Sequence, residues 1–141
     1  GQTPEDGHIV LADPDGNEFC VIEPGNNFLA GCGLLGELAD TGPRDVGLFW
    51  SSAVDWPLVW DEDQETAIQS PDGGTKISWG GEPVVPSEVK RRHRFYLVTA
   101  GECEAEIGRL VTLGATRLSA RPDGTALLSD PGGNEFELAN Q

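Results

Sequence analysis

The side chains able to do chemistry are few and scattered. His8 and His93 are the only imidazoles, and Cys20, Cys32 and Cys103 the only thiols. His93 follows Lys90, Arg91 and Arg92, the one basic cluster, where it reads as an acid–base group or, more plainly, as the end of a solvated linker. His8 begins an exposed-looking segment and reads as surface. The cysteines are odd in number and lack C-x-x-C spacing, so neither a disulfide framework nor a structural zinc site is expected. Reduced thiols, packed as small apolar side chains in a cytoplasmic protein, are the default. Glu37 lies in a short run that otherwise lacks charge, and Glu137 follows Asn134, Glu135 and Phe136 near the end of the chain. Either carboxylate could accept a hydrogen bond or a proton. The plainer reading of each is a strand carboxylate facing water. No P-loop, dinucleotide fingerprint, nucleophile elbow or Ser/His/Asp ordering is present, and the Gly-Gly pairs at 73–74, 80–81 and 132–133 read as turns.

These groups must be positioned by a chain of 141 residues, enough for one domain with a real core. Its formal charge of -15 repels phosphate backbones and anionic lipids, so neither nucleic acid nor membrane is an expected partner, and neutral or cationic ligands are favoured. No apolar run is long enough for a membrane span, and nothing at the start reads as a signal peptide. The chain contains no methionine, so the expectation is a trimmed protein or a piece of a longer one.

An internal repeat organises the sequence. Residues 5–19 read EDGHIVLADPDGNEF and residues 122–136 read PDGTALLSDPGGNEF. Asp6, Gly7, Leu11, Asp13, Pro14, Gly16, Asn17, Glu18 and Phe19 recur as Asp123, Gly124, Leu128, Asp130, Pro131, Gly133, Asn134, Glu135 and Phe136. Proline presets one dihedral of the turn and glycine accepts the positive φ that a tight reversal requires, so each copy is expected to be a β-hairpin.

Between the hairpins, residues 32–39 read as a strand. Pro43 then opens a helix whose Val46, Phe49, Trp50, Ala53 and Val54 fall on one face, and Trp56-Pro57 stops it. Short strands are expected at 58–60, 66–69 and 76–79, separated by the acidic turn 61–65 and the turn 71–74. Residues 80–92 read as a linker. A strand at 94–99 leads to a helix at 102–113, with Cys103, Ile107, Leu110 and Val111 inward and Gly114 capping its end. A strand at 116–119 and the terminal hairpin finish the chain. From residue 28 the order is β-α-β-β-β, linker, β-α-β-β-β.

That duplicated order resembles the vicinal oxygen chelate superfamily (glyoxalase, bleomycin resistance protein, dioxygenase). The likeness is carried by residues 46–56 (VGLFWSSAVDW), 70–81 (SPDGGTKISWGG), 105–115 (AEIGRLVTLGA) and 129–138 (SDPGGNEFEL), most like glyoxalase-like proteins with such units in tandem. The resemblance implies an α+β fold: paired βαβββ modules (28–80 and 93–141) forming a cup-shaped mixed sheet with helices outside. It also implies that residues 1–26 are an extra N-terminal β-hairpin, the end of a preceding module, before a complete domain at 27–141. An unpaired hairpin has open edges, so it is expected to pack on the domain's sheet or to exchange with a second chain in a homodimer.

In metal-using members of that superfamily the ligands come from the first and last strands of the modules. Here Glu137 matches the glutamate, but Cys20 stands at its counterpart in the first hairpin, Gly33 where a histidine would stand, Arg94 or Phe95 at the corresponding place of the second module, and Thr75 or Lys76 in place of an acid. No metal site is therefore assigned, since a divalent ion wants three or four N/O ligands. Glu137, with Glu37 and His93 as helpers, would carry any catalysis. Trp60, Trp79, Tyr96 and Leu35 are the expected ligand-binding residues, because aromatic rings facing the cup suit a flat organic ligand. The expected function is metal-independent binding of a small organic molecule in the cup, with no cofactor. The alternative is a lyase, isomerase or dioxygenase-type enzyme using a divalent metal ion.

Overall fold

The computed structural model describes residues 8–80, 94–121 and 124–141. It begins with the hairpin β1 (His8–Ala12) and β2 (Glu18–Ile22). The first module follows as β3 (Glu37–Thr41), α1 (Arg44–Val54), β4 (Leu58–Glu62), β5 (Glu65–Ile68) and β6 (Lys76–Gly80). The second is β7 (Phe95–Thr99), α2 (Cys103–Leu113), β8 (Thr116–Ala120), β9 (Ala126–Ser129) and β10 (Glu135–Asn140). Each module builds a four-stranded mixed sheet of the same topology, β3-β6-β5-β4 and β7-β10-β9-β8, in which the first and last strands pair parallel and the rest antiparallel. The fold is α+β, with two βαβββ modules and an extra N-terminal hairpin, as the family resemblance implied.

The repeated turn works in both copies by the same chemistry. Asp13 Oδ1 accepts the backbone N–H groups of Asp15 and Asn17, and Asp130 Oδ1 accepts those of Gly132 and Asn134, all at 2.8–2.9 Å. Gly16 and Gly133 take the positive φ that closes each reversal, 81° and 83°. What differs is the cover. Ile9, Leu11, Phe19 and Val21 are 57%, 45%, 49% and 49% exposed, whereas their counterparts Ala126, Leu128, Phe136 and Leu138 are at most 1% exposed. Among the described residues β1 and β2 pair only with each other.

Helix α1 buries Val46, Phe49, Trp50 and Ala53, the face its spacing predicts, and ends at Asp55 in a left-handed conformation ahead of Trp56-Pro57. Pro43 is the N-cap rather than the first helical residue. In α2, Cys103, Ile107 and Leu110 are buried but Val111 is 45% exposed, so the inward face is one residue narrower than expected. Gly114 closes the helix, its N–H donating to Leu110 and Val111 carbonyls. One core unites both modules: Trp50 of α1 packs edge-on against Phe95 and Phe136 and parallel to Trp79. Arg109 of α2 donates to the Ser52 and Ala53 carbonyls, satisfying the orphaned C-terminal turn of α1.

The strand expected at 32–39 is corrected. Pairing starts only at Glu37, and the preceding segment is an irregular loop, with Gly31 at φ 81° and Gly36 closed over by Leu29. Strand β4 conversely runs on to Glu62, because Asp63 and Gln64 alone make the turn with positive φ at both. The expected linker lies outside the described residues beyond Gly80. No helix among the described residues is long and apolar enough to cross a membrane.

Candidate functional site

Alternation along the strands separates two faces of each sheet. On the first sheet, Ile68, Ile77 and Trp79 turn toward α1, which leaves Lys76, Ser78 and their register partners Glu37 and Ala39 on the open face. On the second, Phe95, Leu97, Phe136 and Leu138 turn into the core, leaving Tyr96, Val98, Glu135 and Glu137 open.

The open face of the first sheet is partly filled by its own chain. The loop before β3 lays Phe28 edge-on to Trp60, ring centroids 5.4 Å apart, and under the Lys76 ammonium at 5.1 Å. Lys76 also donates to the Phe28 carbonyl, which accounts for a lysine only 7% exposed. Glu37 accepts a hydrogen bond from Ser78 Oγ and belongs to a different sheet from Glu137. Leu35 is 66% exposed on the loop, its carbonyl accepting from Thr75 Oγ1 at 2.9 Å. Trp60 thus touches the open face, whereas Trp79 does not: it alternates with Lys76 and Ser78 along β6, so its ring turns into the core, fully buried. His93 lies outside the described residues.

On the second sheet Glu137 and Tyr96 are register partners on parallel strands, so they stand side by side, and Tyr96 is 59% exposed. Both Glu137 oxygens are engaged. Arg94 Nη1 and Arg121 Nη2 each donate to Oε1 at 2.9 Å, and Arg121 Nη1 to Oε2 at 3.3 Å. Arg94 also bridges Glu135. The result is a charge-balanced cluster of two guanidiniums and two carboxylates beside an exposed phenol. It can hydrogen-bond and stack. Arg121 carried no sequence signal, because a long side chain reaching back from the end of β8 leaves no motif.

A divalent metal does not fit this residue set. Glu137 has guanidiniums where a cation would stand, Lys76 brings a positive charge, Thr75 is bound to Leu35, and Gly33 offers no side-chain donor. Among the described residues no three His, Cys, Asp or Glu side chains come together as ligands. Among the described residues, the groups that meet the Glu137 oxygens are the Arg94 and Arg121 guanidiniums.

A half-open cavity of about 170 Å³ lies between the end of α1, the first sheet and β7, and it shares Tyr96 with the open face of the second sheet. Trp50, Trp56, Trp79, Ile77, Leu97 and Tyr96 are among its walls, all of which are aromatic or aliphatic. Trp50 and Trp79 are parallel, at 2° with centroids 6.2 Å apart. Their indoles differ in one respect. Trp50 Nε1 donates to the buried Asp130 carboxylate at 3.0 Å, while Trp79 Nε1 is buried with no hydrogen-bond partner among the described residues. Asp130 therefore ties the repeated turn of the second module to α1 of the first. The repeat marks that aspartate in the sequence, but not its indole partner.

No curated protein matches the sequence. Among solved structures, a glyoxalase/bleomycin resistance protein/dioxygenase family enzyme from Burkholderia phytofirmans is 11% identical with a TM-score of 0.58, covering 75% of this chain and 97% of its own. A glyoxalase-related enzyme from Fulvimarina pelagi is 18% identical, TM-score 0.54, covering 74% and 84%. The fosfomycin resistance protein FosX from Listeria monocytogenes is 14% identical, TM-score 0.53, covering 74% and 88%. At these identities the likeness is one of fold. The profile of the glyoxalase-like domain family matches residues 38–139, which span both modules and leave the N-terminal hairpin outside. With the duplicated βαβββ topology and a profile match over most of its length, this chain belongs to the glyoxalase-like domain family, within the vicinal oxygen chelate superfamily.

Proposed function

We propose that the chain is a metal-independent module that holds a small organic molecule on the open face of the second sheet, against Tyr96 and the Arg94–Glu137–Arg121 cluster. The observation that carries this reading is the state of Glu137. The one carboxylate matching the superfamily's ligand position already shares both oxygens with guanidiniums, and is occupied before any cation or substrate proton arrives. Tyr96 offers a ring for stacking, and the net charge of -15 favours a flat neutral or cationic ligand over an anion.

The test is a thermal-shift screen with neutral, cationic and anionic aromatic compounds, repeated on Tyr96→Ala. A neutral or cationic compound that stabilises the protein and loses its effect in Tyr96→Ala supports the reading. An absence of hits, or hits indifferent to Tyr96→Ala, contradicts it. A cytoplasmic location and a homodimer formed through the N-terminal hairpin are proposed alongside. The apolar face of Ile9, Leu11, Phe19 and Val21 supports the dimer, because the same face is core in the second copy. Sedimentation should then show a dimer that Phe19→Asp dissociates, and a wild-type monomer would rule it out.

A further inference from the structure

We propose that the loop before β3 is a strap that fills a binding site of its own chain: Phe28 occupies a place on the open face of the first sheet, and a neutral arylalkyl carbonyl compound competes with it for that place. None of Tyr96, Arg94, Glu137 and Arg121 takes part, so this goes beyond the reading above and does not rest on it. The floor of the site is a row of side chains. Register sets Trp60 opposite Ala67, Ala67 opposite Ser78 and Ser78 opposite Ala39, all on the face that Lys76 shares. Three of the four are small, which leaves room for a ring above them with Trp60 as its wall. Ala67 is fully buried, yet it lies outside the core cluster that α1 covers. Its cover is therefore on the open side, where the loop lays Phe28 edge-on to Trp60.

Lys76 is the buried polar group of the site. Its ammonium lies over the Phe28 ring and donates to the Phe28 carbonyl. That acceptor is a neutral carbonyl, while Glu37, the register partner of Lys76, accepts from Ser78. The occupant thus displays what the site recognises: a phenyl ring against an indole edge, and a carbonyl, set off the ring by Cβ and Cα, on an ammonium. A cation in its place would meet Lys76, and an anion would stand beside Glu37. The strap is lightly held. Residues 23–36 form no strand between β2 and β3, and Gly25 and Gly31, on either side of Phe28, take φ of 94° and 81°. Beyond Phe28 the ties are single hydrogen bonds, from Thr75 Oγ1 to the Leu35 carbonyl and the Lys76 N–H to the Gly36 carbonyl, both at 2.9 Å, and from Gln69 Nε2 to Cys32 Sγ at 3.7 Å. A segment with so few buried contacts opens at low cost.

The experiment is titration calorimetry with 3-phenylpropanamide, which reproduces the Phe28 ring, spacer and carbonyl, and with 3-phenylpropylammonium, which puts a cation where the carbonyl was. Phe28→Ala should bind the amide about five- to a hundredfold more tightly than wild type, the affinity lost when the ligand must displace the Phe28 contacts. Thr75→Val loosens the strap without touching the site and should fall between the two, which also covers a failure of Phe28→Ala to fold. In Phe28→Ala the amide should bind better than the ammonium, and adding Lys76→Met should erase that preference. Adding Trp60→Ala should abolish binding of the amide, whereas Tyr96→Ala should leave it unchanged. The proposal is overturned if Phe28→Ala and Thr75→Val bind no more tightly than wild type, or if Trp60→Ala leaves binding intact. It is equally overturned if wild type stays unbound at amide concentrations about a hundredfold above the Phe28→Ala dissociation constant, because the strap would then never yield.

Discussion

The same turn occurs twice in this chain, once exposed and once buried, which makes a controlled experiment of Asp130→Ala against Asp13→Ala. Asp130 is 3% exposed and serves four donors: the Gly132 and Asn134 N–H groups, Asn134 Nδ2 and Trp50 Nε1. Gly132 is exposed and its N–H can turn to water. Asn134 and Trp50 are 7% and 2% exposed and cannot. Truncation therefore strands three buried donors, at about 1–3 kcal/mol each before relaxation, and a net loss of about 3–5 kcal/mol is expected. For a domain of this size that lowers the thermal midpoint by roughly 10–20 °C. Asp13 makes the corresponding local bonds at an exposed turn, where water replaces them, so its loss should cost less than about 1 kcal/mol. Urea unfolding followed by tryptophan emission gives both values. Equal costs, or an Asp130→Ala protein within about 1 kcal/mol of wild type, would refute the claim that this carboxylate locks the modules together.

Phe136→Ala should cost about 3–5 kcal/mol and its repeat counterpart Phe19→Ala less than about 1 in the monomer, by denaturant titration, because one ring is fully buried and the other about half exposed. Gly47→Ala should destabilise by about 2–3 kcal/mol in the same assay, since a Cβ there would lie 1.9 Å from Oγ1 of the fully buried Thr66. The Arg109 guanidinium hydrogen-bonded to Glu106, and Arg44 to Asp61, hold both carboxyls below their ordinary range. Such groups stabilise the fold above the unfolded-state value and lose that contribution as pH falls through the folded one, so stability should decline on the acid side. Glu106→Gln should flatten that acid limb slightly, an exposed pair being a weak one, and leave the curve above pH 6 unchanged in shape; an unaltered acid limb would contradict it.

The duplicated fold was legible because each module ends in a turn whose chemistry is spelled out by Asp, Pro, Gly and Asn, and because α1 writes its buried face at helical spacing. The start of β3 was not. Leu34 and Leu35 look like strand residues but sit exposed on a loop that glycines let bend away. Facing was the other gap. Trp60 and Trp79 look equivalent in sequence, yet their sides depend on register, and a bulge between Leu58 and Trp60 shifts one strand relative to its neighbour. The Glu137 clamp was half readable. Its carboxylate stands at a motif position, while the Arg121 side chain that occupies it arrives from a place no spacing rule predicts.

The central claim, binding without metal, is tested most directly by the metal content of the purified protein, with its thermal midpoint scanned against zinc, nickel, manganese, iron(II) and magnesium. The arginine-clamped Glu137 predicts no stoichiometric metal and no shift. Near-stoichiometric metal, or a metal-induced rise in midpoint that Glu137→Ala abolishes, would contradict it and show that the guanidiniums yield to a cation.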